Sequence, residues 1–213
     1  MHIAEGVLSI PVLTVGAVAA AAGIAVGLRS LRAEDMPKTA LFASAFFAAS
    51  LIYVPIPPAG SVHLILNGLM GLVLGVAAFP AIFAALLLQA FFLQFGGVTA
   101  LGVNTCVMAL PPVFCRYVFL PLLRSPRPQV RRAGAFACGA SAILLSGILA
   151  SLALICSDNG GPGANFQAAA AALLAAHLPL ALLEGAVTLF VVGFVERVRP
   201  EFLNLAPLHS PQV

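Results

Sequence analysis

Residues 39–115 read TALFASAFFAASLIYVPIPPAGSVHLILNGLMGLVLGVAAFPAIFAALLLQAFFLQFGGVTALGVNTCVMALPPVFC. From Thr39 to Cys115 there is no Asp, Glu, Lys or Arg. A helix that crosses a bilayer takes roughly 20 residues, so this stretch must cross more than once. Its breakers are Pro55-Ile56-Pro57-Pro58-Ala59-Gly60, then Phe79-Pro80, then Gly96-Gly97. They predict spans near 39–54, 63–78, 81–95 and 104–122, of which the first three are short for a crossing.

The flanking sequence extends the pattern. Val7 to Leu28 is uncharged and long enough to span. It has no basic segment before it and no small-residue cleavage site followed by polar sequence, so a secretory signal is not expected. A sixth span covers about 133–156, and Ser157-Asp158-Asn159-Gly160-Gly161-Pro162-Gly163 forms a turn. A last span runs about 168–195, with a kink expected at Pro179. The expected fold is an all-α integral membrane protein of about seven helices. Residues 1–199 are expected to form one seven-span membrane domain that includes the N-terminal segment, and 200–213 a tail.

Composition agrees. The chain is 62% hydrophobic and 8% charged, with mean hydropathy +1.09, against about 25% charged residues in soluble domains. Its net charge of +3 is no nucleic-acid footprint, because the basic residues sit in short loops. Seven spans put the 29–38 and 124–132 loops and the 197–213 tail on one side. Those segments hold Arg29, Arg32, Lys38, Arg124, Arg127, Arg131, Arg132, Arg197 and Arg199. The loops at 55–62, 96–103 and 157–167 hold no Lys or Arg. The positive-inside rule then predicts an external N-terminus and a cytoplasmic C-terminus. Cys106, Cys115, Cys138 and Cys156 match no metal-binding spacing and read as small apolar residues.

That topology places two histidines in the same outer layer. If Met1 keeps a free amine, the amine, the His2 backbone nitrogen and the His2 imidazole close adjacent chelate rings around one ion. Three nitrogens in a plane suit Ni(II) or Cu(II). His63 stands where the third span begins and can supply a fourth nitrogen. The site needs Met1 to remain first, and retention before a bulky His2 is expected. Asn67 and Asn104 are candidates to orient a ligand imidazole. Gln89 and Gln94 read as interhelical hydrogen-bonding groups. Gly71 and Gly75 have GxxxG spacing, which lets another helix approach closely. The apolar outer loop, Gln94 to Thr105, is expected to fold back over a pocket. Glu184 is an acid inside a span and so a functional candidate, with His177 on roughly the same helix face.

No nucleophile–base motif, zinc-protease motif or Walker A sequence occurs, and no enzyme activity is expected. Met1-His2-Ile3-Ala4-Glu5-Gly6-Val7-Leu8-Ser9, Val62-His63, Leu88-Gln89-Ala90 and the run Gly96 to Thr105 with Met108 resemble the CbiM/NikM family. These are membrane substrate-binding components of energy-coupling-factor ABC transporters for cobalt and nickel. The resemblance implies metal held by Met1, His2 and His63. Ni2+ or Co2+ is then the transported substrate, with no organic cofactor. It also implies a bacterial inner membrane, a transmembrane coupling subunit, ABC ATPase subunits and a small two-span accessory protein. The competing expectation is a proton-coupled carrier or membrane scaffold that uses Glu184 and His177, with Met1-His2 incidental.

Overall fold

Proline stands in the first turn of four helices, at Pro11, Pro37, Pro80 and Pro128, where the absent N–H has no intrahelical partner to lose. The structure, a computed structural model, describes residues 2–56, 60–158 and 165–203, and of residues 53–63 the backbone alone. The chain runs α1 (Ile10–Ser30), α2 (Met36–Ala49), β1 (Tyr53–Ile56), β2 (Gly60–His63), α3 (Asn67–Leu74), α4 (Ala78–Leu93), α5 (Leu101–Leu123), α6 (Pro128–Ile155) and α7 (Phe166–Val198). β1 and β2 form an antiparallel ribbon with Tyr53 opposite His63 and Ile56 opposite Gly60.

Glycine contacts fix how the helices run. Gly102 of α5 lies against Ala17 of α1, so both helices start at the same end. Gly27, near the far end of α1, meets Pro80 at the start of α4, so α4 runs back. Gly147 of α6 faces His177 of α7, and Gly139 faces Glu184 and Thr188, so these two are antiparallel. One end of the bundle therefore gathers residues 2–9, the 94–100 loop and Ser157, which pairs with Ser9 at 3.5 Å. The other end gathers 29–38, the turn at Gly75–Ala77 and 124–132. Arg131 there binds Glu196 at 2.8 Å. Arg116, two turns inside α5, lines a hollow with Ser30, Asp35 and Lys38 at that same end. α1 buries only small residues, Gly16, Ala20 and Gly27, which let its backbone approach its neighbours.

Five helical stretches are long and apolar enough to cross a membrane: 10–30, 67–93, 101–123, 128–155 and 166–198. α2, at 14 residues, is shorter than a usual crossing. The span expected at 63–78 resolves into the end of β2, the 8-residue α3 and a turn. The break falls at Gly75, which adopts φ +58°, and not at Phe79-Pro80. Pro80 sits in the first turn of α4, where proline is tolerated. Gly71 does sit tightly against Pro112, as close helix approach requires, whereas Gly75 serves the turn instead. Pro111, Pro112 and Pro121 all lie inside α5. Residues 200–203 form a 3-10 turn that buries Leu203, more order than a polar tail suggests. Cys106, Cys115 and Cys138 are buried as expected, whereas Cys156 is exposed.

Candidate metal site

The segment before α1 is drawn into the protein. His2 is 4% exposed and Ile3 1%. The His2 ring packs on Phe95 with centroids 5.6 Å apart, and its Nε2 lies 2.7 Å from Gln89 Oε1. With the Gln89 amide oxygen turned to the ring, the bond requires Nε2 to donate, which leaves the lone pair on Nδ1. Nδ1 is the ring atom that closes a six-membered chelate with the residue's own backbone nitrogen. Burial pushes this imidazole down to about 3, against an opposing contribution from the Gln89 hydrogen bond. At neutral pH it is therefore uncharged.

Asn104 holds the next residue at both backbone groups. Its Oδ1 accepts from Ile3 N at 3.0 Å, and its Nδ2 donates to Ile3 O at 3.1 Å. Two residues on, Glu5 accepts from Thr99 Oγ1 and from Thr99 N at 3.3 Å. This ties the segment to the 94–100 loop. Gly96 and Gly97, at φ +80° and +105°, let the loop lie directly on the segment. A Cβ on Gly96 would stand 2.9 Å from Asn104 Nδ2 and 3.2 Å from the His2 ring, and one on Gly97 would strike the Glu5 carboxylate. The fold-back of this loop was legible in part from its apolar sequence.

Met1 and the His63 side chain lie outside the described residues. The His63 backbone ends β2, and Leu64 N donates to Ile52 O at 3.3 Å as the ribbon closes. Directly after it, Glu184 of α7 accepts from Ile65 N and from Leu66 N, the latter at 2.8 Å. Among the described residues, no cluster of three or more His, Cys, Asp or Glu occurs.

The other polar candidates lie elsewhere. Asn67 is fully buried and donates to Met108 O at 3.2 Å and Ser146 Oγ at 3.0 Å. Met108 O would normally accept from residue 112, but Pro112 has no N–H, so Asn67 supplies the missing donor. Asn67 therefore supports α5 at its prolines, and its hydrogen bonds go to Met108 and Ser146 rather than to His2. His177 Nδ1 pairs with Leu173 O of its own helix at 2.6 Å. Gln94 ends α4 in the left-handed region at φ +56°. Gln89 is the residue that sequence reasoning undervalued. An uncharged polar group in an apolar helix signalled a partner, but not that the partner would be His2.

Fold and site define a multi-pass integral membrane protein that buries a histidine near its chain start, at one end of the helix bundle. The comparisons give the class a family. The family described as cobalt uptake substrate-specific transmembrane region, CbiM, matches residues 2–202, and the chain belongs to it. The chain is 45% identical over 204 residues to a protein of Haemophilus influenzae named for metal transport, covering 96% of this chain and 97% of that one. It is 31% identical to a protein of Archaeoglobus fulgidus named as a fused nickel transport protein, NikMN, covering 96% of this chain and 68% of that one. A crystal structure described as a truncated transition metal transporter superposes with TM-score 0.76 at 28% identity, covering 93% of this chain and 99% of that one.

Proposed function

We propose that this protein captures Ni2+ or Co2+ at the outer face of a bacterial inner membrane, as the substrate-binding subunit of an energy-coupling-factor importer. The Met1 amine, the His2 backbone nitrogen, His2 Nδ1 and a His63 nitrogen form the ligand set. The observation that carries this reading is the His2–Gln89 hydrogen bond, which leaves the chelating nitrogen of a buried, neutral imidazole unprotonated.

The chain crosses the membrane seven times, with α2 and α3 as short crossings, N-terminus outside. The alternating helix directions favour this count, and so does the gathering of the basic residues at the end away from His2. Asn104 serves the site by anchoring the backbone on which the chelate is built, and Asn67 by supporting α3 behind His63. Energy comes from a transmembrane coupling subunit and ABC ATPases, because the sequence has no Walker A motif of its own. A small two-span protein completes the importer. The fused relative, which extends beyond the part this chain matches, is in keeping with such an additional component.

The proton-carrier reading is the less well supported of the two. Glu184 engages two backbone amides, and His177 bonds to its own helix, with no bond between the two among the described residues.

The decisive experiment adds one residue before Met1 and measures Ni2+ and Co2+ binding to the purified protein. The extra residue converts the amine to an amide. High-affinity binding is expected to disappear while the fold, read by circular dichroism and thermal melting, is retained. Unchanged affinity would remove the N-terminal chelate.

A further inference from the structure

At the basic end, well away from His2, α6 and α7 enclose a groove of about 360 Å3 lined by Arg132, Leu189, Phe190, Gly193, Phe194 and Arg197. Its lower part is apolar and open outwards. Phe190 is 73% exposed and Phe194 64%, on a helix long enough to span the bilayer. Gly193 forms the notch between them, and a Cβ there would meet nothing within 4 Å. Two guanidiniums stand at the rim. Arg131 pairs with Glu196 and Arg199 with Glu201, yet neither Arg132 nor Arg197 has an ion-pair partner among the described residues. Phe190 and Arg197 are seven positions apart on α7, about 10 Å along the axis. The groove thus joins a doubly cationic rim to roughly one leaflet's upper acyl depth.

We infer that this groove is a binding site for one anionic phospholipid, its phosphate held by Arg132 and Arg197 and its acyl chain laid over Gly193 between Phe190 and Phe194. The charge is complementary, since guanidiniums bind phosphate oxygens in a bidentate fork. The placement is that of basic pockets between spanning helices, which take anionic head groups. A soluble acidic partner would satisfy the arginines but would not explain two phenylalanines and a notch at acyl depth, and a membrane-embedded partner seated there would exclude lipid and abolish the phosphatidylglycerol preference at position 194. The inference is independent of the metal site and of the choice of metal.

The chain contains no tryptophan, so one substitution gives a single fluorophore. Phe194→Trp places it in the groove, and Phe92→Trp places it at the opposite end of the bundle, where Phe92 is 75% exposed. Each variant is reconstituted in mixed bilayers, and quenching is compared between acyl-brominated phosphatidylglycerol and acyl-brominated phosphatidylcholine. A surface arginine contributes about 1 kcal/mol toward an anionic lipid, about fivefold, so two give up to about 30-fold. Preference for phosphatidylglycerol is expected between those limits at position 194 and near unity at position 92. Adding Arg132→Gln and Arg197→Gln should abolish it. Equal quenching by both lipids at position 194, or a preference that survives both substitutions, overturns the proposal. Loss of the preference on adding inorganic phosphate would reassign the arginines to a free anion and overturn it too.

Discussion

Replacing Gln89 with Leu removes the acceptor that fixes the His2 tautomer while keeping an apolar side chain of similar reach. The buried Nε2–H is then left without its 2.7 Å partner. An orphaned buried donor costs roughly 1–3 kcal/mol. The imidazole can escape that cost by moving its proton to Nδ1, which blocks the chelating nitrogen, or by swinging off Phe95 toward water. Either route weakens metal capture. At about 1.4 kcal/mol per decade, the penalty corresponds to roughly 5- to 150-fold in Kd, which overlaps the roughly 10- to 100-fold expected for losing a hydrogen-bond partner of a ligating histidine. Gln89→Glu offers the same acceptor geometry and should keep affinity within a few-fold. The assay is competition for Ni2+ and Co2+ against a chromophoric chelator, with the nickel d–d absorption band as a second readout. The band should be kept by Gln89→Glu and shifted or lost by Gln89→Leu. The reasoning fails if Gln89→Leu binds both metals with unchanged affinity and an unchanged band. Hydrogen exchange at Ile3 separates this from simple undocking, because the Asn104 clamp is intact in both variants.

Asn104→Ala leaves the Ile3 N–H and C=O both buried and unpaired, roughly 2–6 kcal/mol in all; hydrogen exchange should rise across residues 2–5, with metal affinity reduced by tenfold or more, and slow exchange in the variant would refute the clamp. Gly97→Ala forces a Cβ into a residue at φ +105° and against Glu5. Backbone strain of this kind costs roughly 1–3 kcal/mol, so stopped-flow metal release should accelerate by about fivefold or more, and an unchanged release rate would show that the 94–100 loop does not cover the site.

The membrane class and the helical character were legible because charge is nearly absent from the long central run. No soluble core requires that. The loop fold-back was legible in part: residues 96–99 lie on His2 and Glu5, while Val98 stays 60% exposed. Boundaries were less so. Phe79-Pro80 looked like a break, but a proline within the first turn disturbs no hydrogen bond, and Gly75 broke the helix instead. The ribbon at Tyr53–Ile56 and Gly60–His63 was hidden because its prolines read as a loop, and four-residue strands leave little periodicity. His2 was singled out from its chemistry alone, and the structure buries it. Its partner was not legible, since Gln89 and His2 are 87 positions apart and only the packed bundle joins them. Asn104 was chosen as a polar group in apolar sequence, and its part proved to be holding backbone rather than ring.

Glu184 and Arg116 together show why charges inside this membrane protein need not be transport groups. α3 is only 8 residues long and has left-handed Leu66 at its entry. The amides of Ile65 and Leu66, just before it, donate to the Glu184 carboxyl group, and its Leu72 carbonyl accepts from Arg116. A carboxyl group at the amino end and a guanidinium at the carboxyl end flank the half-helix. Both also satisfy backbone groups that lipid cannot. The pair suspends the half-helix between α7 and α5, directly behind the strand that carries His63. Two substitutions distinguish this from proton carriage. Glu184→Gln keeps an oxygen that can accept from Ile65 and Leu66 and loses only the charge assistance, about 1 kcal/mol. Nickel and cobalt binding and uptake should fall by no more than about tenfold. Glu184→Leu orphans both amides, roughly 2–6 kcal/mol, and should collapse metal binding and lower Tm. A carrier that must protonate residue 184 predicts the opposite ranking for Gln, with uptake abolished and metal binding intact. Measuring binding and uptake side by side on Glu184→Gln therefore decides between a support and a shuttle.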